Sequence, residues 1–355
     1  MRAARPTAPP PSLGEVGGRA ARRIIQLLDA ELARWRDVDD DLVDPLTALR
    51  DLVAADGKRL RPAFCHWAFV GAGGDPDDPV AIDVGAALEL LHTFALVHDD
   101  VMDGSDMRRG RPAVHRHFID DHERARWRNE PRRFGEGAAI LVGDFAFVYA
   151  DMLFASAPPA TRPVFDELRL ELCVGQYLDL VGTASGSSER VRAERIERYK
   201  SGKYTVERPL HIGATLAGRL DDLAAPLTAV GLPLGEAFQL RDDLLGVFGD
   251  AEVTGKPVGD DLREGKLTPL VAAAAARATG TAAAMLGRLG MPDLTDADIA
   301  ALQAVLVETG ARDEVEAAIG RRVDEALTAL AVAPLTSEAR LALEELGTYV
   351  AWRDR

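Results

Sequence analysis

The sequence has few cysteines, few aromatic residues and no excess of positive charge. Cys65 and Cys173 are its only two cysteines, and neither lies in a His/Cys cluster with metal-ligand spacing, so we expect both to be reduced residues of the core. A net charge of −15 argues against a nucleic-acid-binding surface, because phosphate backbones are bound by basic surfaces. An anionic ligand would therefore need a metal ion or a local group of Lys and Arg.

Long apolar runs are also missing. No uninterrupted apolar stretch approaches the roughly 18 residues of a membrane span, and the longest helical candidate, residues 84–97, contains Glu89 and His92. The first residues, MRAARPTAPPPSLG, contain Arg and Pro but no apolar signal-peptide segment. We therefore expect a cytoplasmic protein without a membrane span, whose residues 1–12 form a disordered Pro-rich tail.

Helical periodicity dominates what the sequence does contain. Hydrophobic residues make up 47% and charged residues 28%, as in ordinary globular proteins, and β-branched runs bounded by turn residues are absent. This pattern predicts one all-α domain over residues 13–355, with Thr295 and Thr336 as helix N-caps. The predicted helices span residues 21–36, 42–54, 59–71, 80–103, 137–155, 162–181, 192–217, 222–247, 268–288, 296–309, 311–331 and 336–352.

Two aspartate clusters end otherwise apolar helical stretches. Asp99, Asp100 and Asp103 lie in LVHDDVMD, and Asp242 and Asp243 lie in FQLRDDLL. Carboxylates at the edge of a core cost free energy unless cations compensate them, and hard oxygen ligands suit magnesium. The two clusters therefore predict a magnesium site that handles phosphate groups.

Basic and amide side chains lie near these clusters. The candidates are Lys58 and Arg61 in GKRLRP, His92 two turns before Asp99, Arg108 and Arg109 in RRGRP, Lys200 and Ser201 in RYKSGKYT, Gln239, Lys256 and Lys266. Helix N-termini with Lys and Arg are good anion sites. Taken singly, each group is also what a solvated or salt-bridged helix surface would contain.

Together, these motifs resemble those of the trans-isoprenyl diphosphate synthases, the polyprenyl synthetase family. The resemblance extends over residues 57–268, where seven blocks agree in order, spacing and residue type. These blocks are GKRLRP, HTFALVHDDVMD with RRGRP, AILVGD, GQYLDL, YKSGKYT, FQLRDD and GKPVGDDLREGKLT. The resemblance implies an isoprenoid-synthase-type bundle of long helices around a deep central cavity, with the two aspartate helices facing across its mouth, and a homodimer.

The resemblance also implies roles for matching residues. Asp99 and Asp103, in the cluster with Asp100, would bind two magnesium ions, and Asp242, supported by Asp243, a third, so that three ions hold an allylic diphosphate. The positions matched to the allylic diphosphate are Arg108, Lys200, Ser201, Gln239, Lys256 and Lys266. Those matched to isopentenyl diphosphate are Lys58, Arg61, His92 and Arg109. The catalytic set is Asp99, Asp103, Lys200, Gln239 and Asp242, which would stabilise the departing pyrophosphate while the isopentenyl double bond attacks the allylic carbocation.

Two positions depart from the family pattern. Gly246 stands where the family often has a third aspartate, and Ser201 stands where threonine is commoner. Asp250 lies one turn beyond Gly246 and could partly substitute for the missing carboxylate. DDLLGVFGD also loosely resembles the second metal motif of class I terpene cyclases, so a cyclase is the alternative enzyme.

The residues of the expected second anion site distinguish the prenyltransferase from the cyclase. Lys58, Arg61 and His92 favour a prenyltransferase, because a cyclase holds one diphosphate and needs no second anion site. A silent regulatory subunit is a third alternative, and it is disfavoured by the presence of Asp99, Asp103, Asp242, Lys200 and Lys266.

Product length in this family depends on residues just before the first cluster. Phe94 is the fifth residue before Asp99, about 7.5 Å below it at 1.5 Å per residue, and Ala95 is the fourth. A bulky fifth position and a small fourth position resemble the geranylgeranyl-forming type, which predicts mainly a C20 product; farnesyl, or C25 and longer, products are the alternatives. Phe94 could instead merely pack against a neighbouring helix.

Overall fold

Helices make up most of the chain in the computed structural model, which describes residues 8–55, 57–185, 189–250 and 258–353. The α-helices, numbered in chain order, are α1 (Pro11–Arg36), α2 (Val43–Ala54), α3 (Leu60–Gly71), α4 (Pro79–Asp103), α5 (Val114–Ala125), α6 (Pro131–Phe154), α7 (Arg162–Ser185), α8 (Arg190–Glu197), α9 (Arg208–Leu216), α10 (Leu220–Phe248), α11 (Asp260–Glu264), α12 (Pro269–Ala275), α13 (Gly280–Leu286), α14 (Asp296–Glu308), α15 (Ala311–Val332) and α16 (Ser337–Trp352). The remaining elements are 3₁₀ turns at Asp40–Leu42 and Pro159–Thr161, a π-helical segment at Arg198–Glu207, and strands β1 (Met107–Arg108) and β2 (Arg111–Pro112). The predicted all-α class is confirmed.

The chain divides into two compact units. The N-terminal unit comprises Pro11–His66 and Asp75–Pro159, and the C-terminal unit comprises the described residues before Pro11, Trp67–Gly74 and the chain from Ala160 onward. The prediction of a single domain over residues 13–355 stays a prediction. Of the predicted tail, residues 1–7 lie outside the described residues, and α1 begins at Pro11.

In the N-terminal unit, α4 packs along α6 and carries the first aspartate cluster. The helix begins where the Asp78 carboxylate accepts a hydrogen bond from the Val80 amide at 2.8 Å, with Pro79 in the first turn. It ends at Gly104, whose φ of 68° is the left-handed conformation that glycine adopts most readily. Val84 is fully buried on this helix, so the apolar stripe below the cluster lies in the core.

The C-terminal unit is arranged around α10, which contacts the π-helical segment and α15. Gly235 permits the contact between α10 and the π-helical segment, because a Cβ at this position would lie 2.7 Å from the Cα of Gly202. In the same unit, Thr295 and Thr336 accept hydrogen bonds from backbone amides at the starts of α14 and α16. Both predicted N-caps are confirmed.

Some sequence predictions were wrong. Cys65 is buried, but Cys173 is exposed on α7, so only Cys65 is a core residue. Helix α5 was not predicted, and the predicted helix over residues 268–288 is two helices, α12 and α13.

Two described helices are long and apolar enough to cross a membrane, α4 and α6. Within their most apolar stretches, 61% of the residues of α4 and 44% of those of α6 are buried inside the protein. Buried core helices share this composition, so the feature is weak evidence for a membrane span.

Candidate active site

The first aspartate cluster lies at the C-terminal end of α4, and Arg108 contacts two of its members. Arg108 Nε donates to Asp100 Oδ1 at 2.8 Å, and its Nη2 donates to the same oxygen. Asp99 is 3.7 Å from Arg108 Nη2. Asp100 is 2% exposed, whereas Asp99 and Asp103 are half-buried. Asp100 is therefore bound to Arg108, which lies beside the cluster.

A two-residue hairpin positions the two neighbouring arginines. β1 pairs with β2 in antiparallel register, and Arg109 and Gly110 make the turn with φ values of 53° and 72°. Arg108 reaches back to α4, whereas Arg109 Nη1 donates to the carbonyl of Leu52 at 3.3 Å, at the end of α2. The hairpin thus carries cations to both the aspartate cluster and the loop before α3.

His92 lies among four arginines, which we call the arginine cluster: Arg59, Arg61, Arg108 and Arg109. Burial, and then the positive charges of Arg61, Arg109, Arg59 and Arg108, lower the pKa of His92 well below its usual range. The imidazole is therefore neutral at pH 7, inside a concentration of positive charge in an acidic protein. The structure brings together three of the four residues predicted to bind isopentenyl diphosphate, Arg61, His92 and Arg109. Lys58 is half-buried in the loop that leads to them.

Arg59 has a structural role within the arginine cluster. Its φ is 51°, and it is 9% exposed. The guanidinium donates to Glu89 on α4 and to the carbonyls of Val53 and Ala55. These bonds fix the loop between α2 and α3, which places Lys58 and Arg61 on either side of a buried anchor.

The predicted chain-length residue Phe94 is half-buried and belongs to an aromatic group. Its ring centroid is 4.6 Å from that of His98 in an edge-on arrangement, and 5.0 Å from that of Phe147 on α6. His98 Nε2 is in turn 3.0 Å from the carbonyl of Ile140. The orientation of the Phe94 ring is thus held by α6 as well as by its own helix. Ala95 is also half-buried.

In the C-terminal unit, the second aspartate cluster is crowded with carboxylates. Burial, and then the negative charge of Asp261, raise the pKa of Asp243 to about 7, although hydrogen bonds from Gln239 and Glu197 oppose the shift. Gln239 Nε2 donates to Asp243 Oδ1 at 2.8 Å, as expected for two residues one turn apart. Burial, and then the charge of Asp243, raise the pKa of Glu197 well above its usual range.

Asp242 is paired with Arg353, a residue that the sequence analysis did not single out. Arg353 Nη2 donates to Asp242 Oδ1, and the guanidinium lies 4.3 Å from the centre of the Phe238 ring. The Arg353 side chain is fully buried, whereas that of Asp242 is 35% exposed. Because 111 residues separate the two, no local pattern in the sequence could have indicated the pair.

Lys200 lies on the π-helical segment and pairs with Asp179 of the GQYLDL block. Its Nζ donates to Asp179 Oδ2 at 2.6 Å. Gly175 makes this possible, because a Cβ there would lie 2.5 Å from the Lys200 Cα. Ser201 is half-buried beside it. The GQYLDL block therefore positions the lysine.

Lys266, the last predicted site residue that the structure describes in the C-terminal unit, contacts two carboxylates. Lys266 Nζ is 3.3 Å from Asp261 Oδ1 and 2.5 Å from Glu264 Oε2. Lys256 lies outside the described residues. Asp250, the expected substitute for the missing third aspartate, is an exposed residue beyond the end of α10.

Within the described residues, no group of three or more His, Cys, Asp or Glu side chains is arranged to hold a metal ion on its own. The donor set nevertheless fits a hard divalent cation. Asp242, Asp243 and Asp261 supply carboxylate oxygens, and the negative charge of Asp261 acts on Asp243. A divalent cation held partly by these carboxylates and partly by a diphosphate would offset this negative charge.

Comparison with known proteins agrees with the motifs and the fold. The family model "Polyprenyl synthetase" matches residues 45–305. A geranylfarnesyl diphosphate synthase of Aeropyrum pernix is 33% identical over 317 residues, covering 85% of this chain and 92% of that protein. A (2E,6E)-farnesyl diphosphate synthase of Mycobacterium tuberculosis is 32% identical over 308 residues, covering 84% and 80%.

A solved structure is similar over nearly the whole chain. It is a geranylgeranyl pyrophosphate synthase of Corynebacterium glutamicum in complex with isoprenyl diphosphate and magnesium, with 36% identity and a TM-score of 0.91, covering 96% of this chain and 99% of that one. The three relatives are named for products of different chain length, so they establish the type of reaction and not the product. On its motifs, its fold and these matches, the chain belongs to the polyprenyl synthetase family of trans-prenyltransferases.

Proposed function

We propose that this protein is a magnesium-dependent prenyltransferase that condenses isopentenyl diphosphate head-to-tail with dimethylallyl, geranyl and farnesyl diphosphates, giving mainly geranylgeranyl diphosphate (C20). The observation that carries the proposal is the neutral His92 among four arginines in the same unit as Asp99. A terpene cyclase holds one diphosphate, whereas this unit offers an anion site in addition to its aspartate cluster. An enzyme with two diphosphate substrates accounts for both the arginine-lined anion site and the aspartate cluster.

Isopentenyl diphosphate is assigned to the arginine cluster. Arg61, Arg109 and Lys58 would neutralise its diphosphate. His92, kept neutral by burial and by these charges, would contact a phosphate oxygen without adding a formal charge. Arg59 would not take part directly, since its guanidinium is already bound to Glu89 of α4 and to the carbonyl of Val53.

The allylic diphosphate is assigned to the aspartate clusters and their lysines. Asp99 and Asp103 in the N-terminal unit and Asp242 in the C-terminal unit would supply magnesium ligands, three ions in all, with Asp243 supporting Asp242. Bound magnesium would stabilise the charge of the departing pyrophosphate. Lys200 and Lys266 would exchange their carboxylate partners for the same leaving group, Lys256 would also bind it, and Arg108, Ser201 and Gln239 would orient it.

The reaction follows from these assignments. The allylic C–O bond breaks, and its electron pair leaves with the diphosphate. The double bond of isopentenyl diphosphate then attacks the carbocation and forms the new C–C bond. Loss of a proton from the adjacent carbon, accepted by the released diphosphate, restores a double bond.

The C20 assignment rests on Phe94 as the floor of the elongation pocket. Its contacts with His98 and Phe147 would hold the ring in place against a growing prenyl chain. The same contact with α6 is what simple packing would produce, so the assignment is decided by the product analysis developed in the Discussion.

A homodimer is proposed from an exposed apolar row on α6. Leu141, Val148 and Met152 lie on one face of this helix and are 58%, 52% and 50% exposed. α7 carries a second such row, Leu170, Val174 and Tyr177. Monomeric proteins rarely leave such rows uncovered, and a second copy of this chain is the proposed partner. Sedimentation of the wild type against a Val148→Glu variant tests it, since the charge would convert a dimer to monomer.

The purified protein with magnesium provides the test of function. It is incubated with isopentenyl diphosphate and each of the three allylic diphosphates in turn, and the products are identified by mass. Consumption of isopentenyl diphosphate with formation of longer prenyl diphosphates is expected. Hydrocarbons formed without isopentenyl diphosphate would instead establish the cyclase, and absence of any turnover would favour the silent subunit.

A further inference from the structure

The end of α5, the start of α6 and the turn between them concentrate positive charge in an otherwise acidic protein. Residues 124–134, which we call the basic turn, contain five arginines, a single acidic residue, Glu130, and the aromatic residues Trp127 and Phe134. The chain as a whole has a net charge of −15. We propose that the basic turn is a docking surface for membranes that contain anionic phospholipids. This inference goes beyond the proposed function, which needs no contact with a membrane.

The basic turn is open to solvent. Every residue in the range 123–130 is exposed, and so are residues 132–134. Among the described residues, three arginines of the turn form no ion pair with a side chain: Arg126, Arg128 and Arg133. These guanidinium groups can therefore bind phosphate groups outside the protein.

The other two arginines already have acidic partners. Arg124 pairs with Asp121, and Arg132 Nε lies 2.6 Å from Glu136 Oε1. They should contribute less to an external anion than the three that form no ion pair, because their charge is partly neutralised within the protein.

The two aromatic side chains give this surface an apolar centre. Trp127 is 53% exposed and Phe134 is 39% exposed. Their ring centroids are 5.1 Å apart, and the Trp127 ring also packs edge-on against His122, with centroids 5.9 Å apart. His122 Nε2 is in turn 2.9 Å from the carbonyl oxygen of Arg128. A tryptophan held in place among arginines suits the headgroup level of an anionic bilayer, where indole rings and basic side chains both bind favourably.

The backbone at Arg126 supports a role for its charge. This residue caps the C-terminal end of α5 with a φ of 53°. Glycine is the usual residue at such a left-handed helix cap, because other residues pay a steric cost there. The local fold would therefore be better served by glycine at position 126, whereas an external anion accounts for the arginine.

Charge and apolar exposure together favour a membrane over other occupants. A symmetric contact between two copies of this chain, centred on the basic turn, would set arginines against arginines, which repel one another. A DNA duplex stacks its bases inside and presents phosphates outside, so it offers no apolar surface to the exposed Trp127 and Phe134 rings. An anionic bilayer provides both phosphate groups and an apolar layer below them.

Vesicle co-sedimentation of the full chain tests the proposal. The vesicles contain phosphatidylcholine alone, or phosphatidylcholine with an equal part of phosphatidylglycerol. We expect binding to the anionic vesicles that weakens as the salt concentration rises. Binding to phosphatidylcholine alone should be weaker by about tenfold or more.

Three variants separate the charges from the aromatic anchor. Replacing Arg126, Arg128 and Arg133 together by glutamine should weaken binding to anionic vesicles about a hundredfold, at about fivefold for each arginine near an anionic surface. Trp127→Ala should weaken binding about tenfold. Arg126→Gly should weaken it about fivefold and yet keep or raise the melting temperature, because glycine suits the left-handed cap.

A triple variant with the same change in net charge is the matched control. It replaces three exposed arginines of the C-terminal unit by glutamine: Arg195, Arg321 and Arg340. This control should bind anionic vesicles as the wild type does. Circular dichroism checks that every variant is folded, and sedimentation checks that its oligomeric state is that of the wild type.

Equal binding to the two kinds of vesicle would overturn the proposal, as would wild-type binding by Trp127→Ala or by the triple variant of the basic turn. Binding of a DNA duplex as tight as binding to anionic vesicles would also overturn it and make the turn a nucleic-acid site. A smaller oligomer in Trp127→Ala would instead make the turn part of the contact between copies. None of these results depends on the prenyltransferase assay, so this proposal and the proposed function can fail separately.

Discussion

Replacing Phe94 by alanine should lengthen the prenyl product. The substitution removes six ring carbons from the proposed floor of the pocket, about 7.5 Å below Asp99 along the helix. An isoprene unit adds five carbons, so the space freed accommodates roughly one further unit. We expect the main product to shift from C20 to C25, with total turnover largely kept, since no diphosphate or metal ligand changes. Chromatography and mass analysis of the dephosphorylated alcohols measure the shift.

The stability of this variant should fall only modestly. Phe94 loses its contacts with His98 and Phe147, and each aromatic contact contributes about 0.5–1.5 kcal/mol. Because Phe94 is half-buried, we expect a loss of about 1–3 kcal/mol in the free energy of unfolding, well below the stability of most domains. The protein should therefore stay folded under assay conditions, as a thermal melt would verify.

Ala95→Phe is the matched opposite, since it adds a ring one position further along the same helix. It should shift the product toward farnesyl diphosphate. If Phe94 only packs against α6, then Phe94→Ala would lose the same stability while the product distribution stayed at C20. That result would refute the floor assignment and move the length-determining residues elsewhere.

Three further predictions concern the ligands, the C-terminal ion pair and acid stability. Asp99→Ala should abolish magnesium-dependent condensation while leaving the circular dichroism spectrum unchanged; retained turnover would contradict the ligand role. Arg353→Met should lower the free energy of unfolding of the metal-free protein by about 2–4 kcal/mol, because Asp242 loses its cationic partner and a buried network is broken. Magnesium with pyrophosphate should recover part of this loss in a thermal melt. Burial, and then the charge of Arg19, lower the pKa of His66 to about 4. The neutral form of His66 therefore stabilises the folded state above pH 6.5, and this stability, about 3 kcal/mol, is lost as the pH falls toward 4. His66→Gln should remove this part of the acid destabilisation, and an unchanged pH dependence of the denaturation midpoint would exclude it.

The long, strongly periodic helices could be predicted from the sequence, and other elements could not. The predicted span 80–103 corresponds closely to α4 (Pro79–Asp103). Helix α5 was missed because His115 and His122, which are polar, occupy buried positions and interrupt the apolar pattern. The break between α12 and α13 was hidden by an alanine-rich stretch that favours helix throughout.

The residues of the candidate site likewise fall into those that the sequence indicated and those that it did not. Residue type and spacing identified the residues that the fold brings together, such as Arg61, His92 and Arg109, because family motifs preserve them locally. Arg353 could not be found in this way. It pairs with Asp242 across 111 residues of chain, and only the packing of the C-terminal unit brings the two together.

The hairpin between α4 and α5 directs two neighbouring arginines to different partners. Arg108 ends β1, whereas Arg109 begins the turn with a left-handed φ of 53°, so these neighbours in the chain reach Asp100 and the carbonyl of Leu52 respectively. Their different destinations depend on the backbone conformation at the turn and not on side-chain chemistry. Inserting or deleting a residue in the turn would therefore change where the two side chains point without changing their chemistry. The length of the hairpin turn therefore decides which group each arginine reaches.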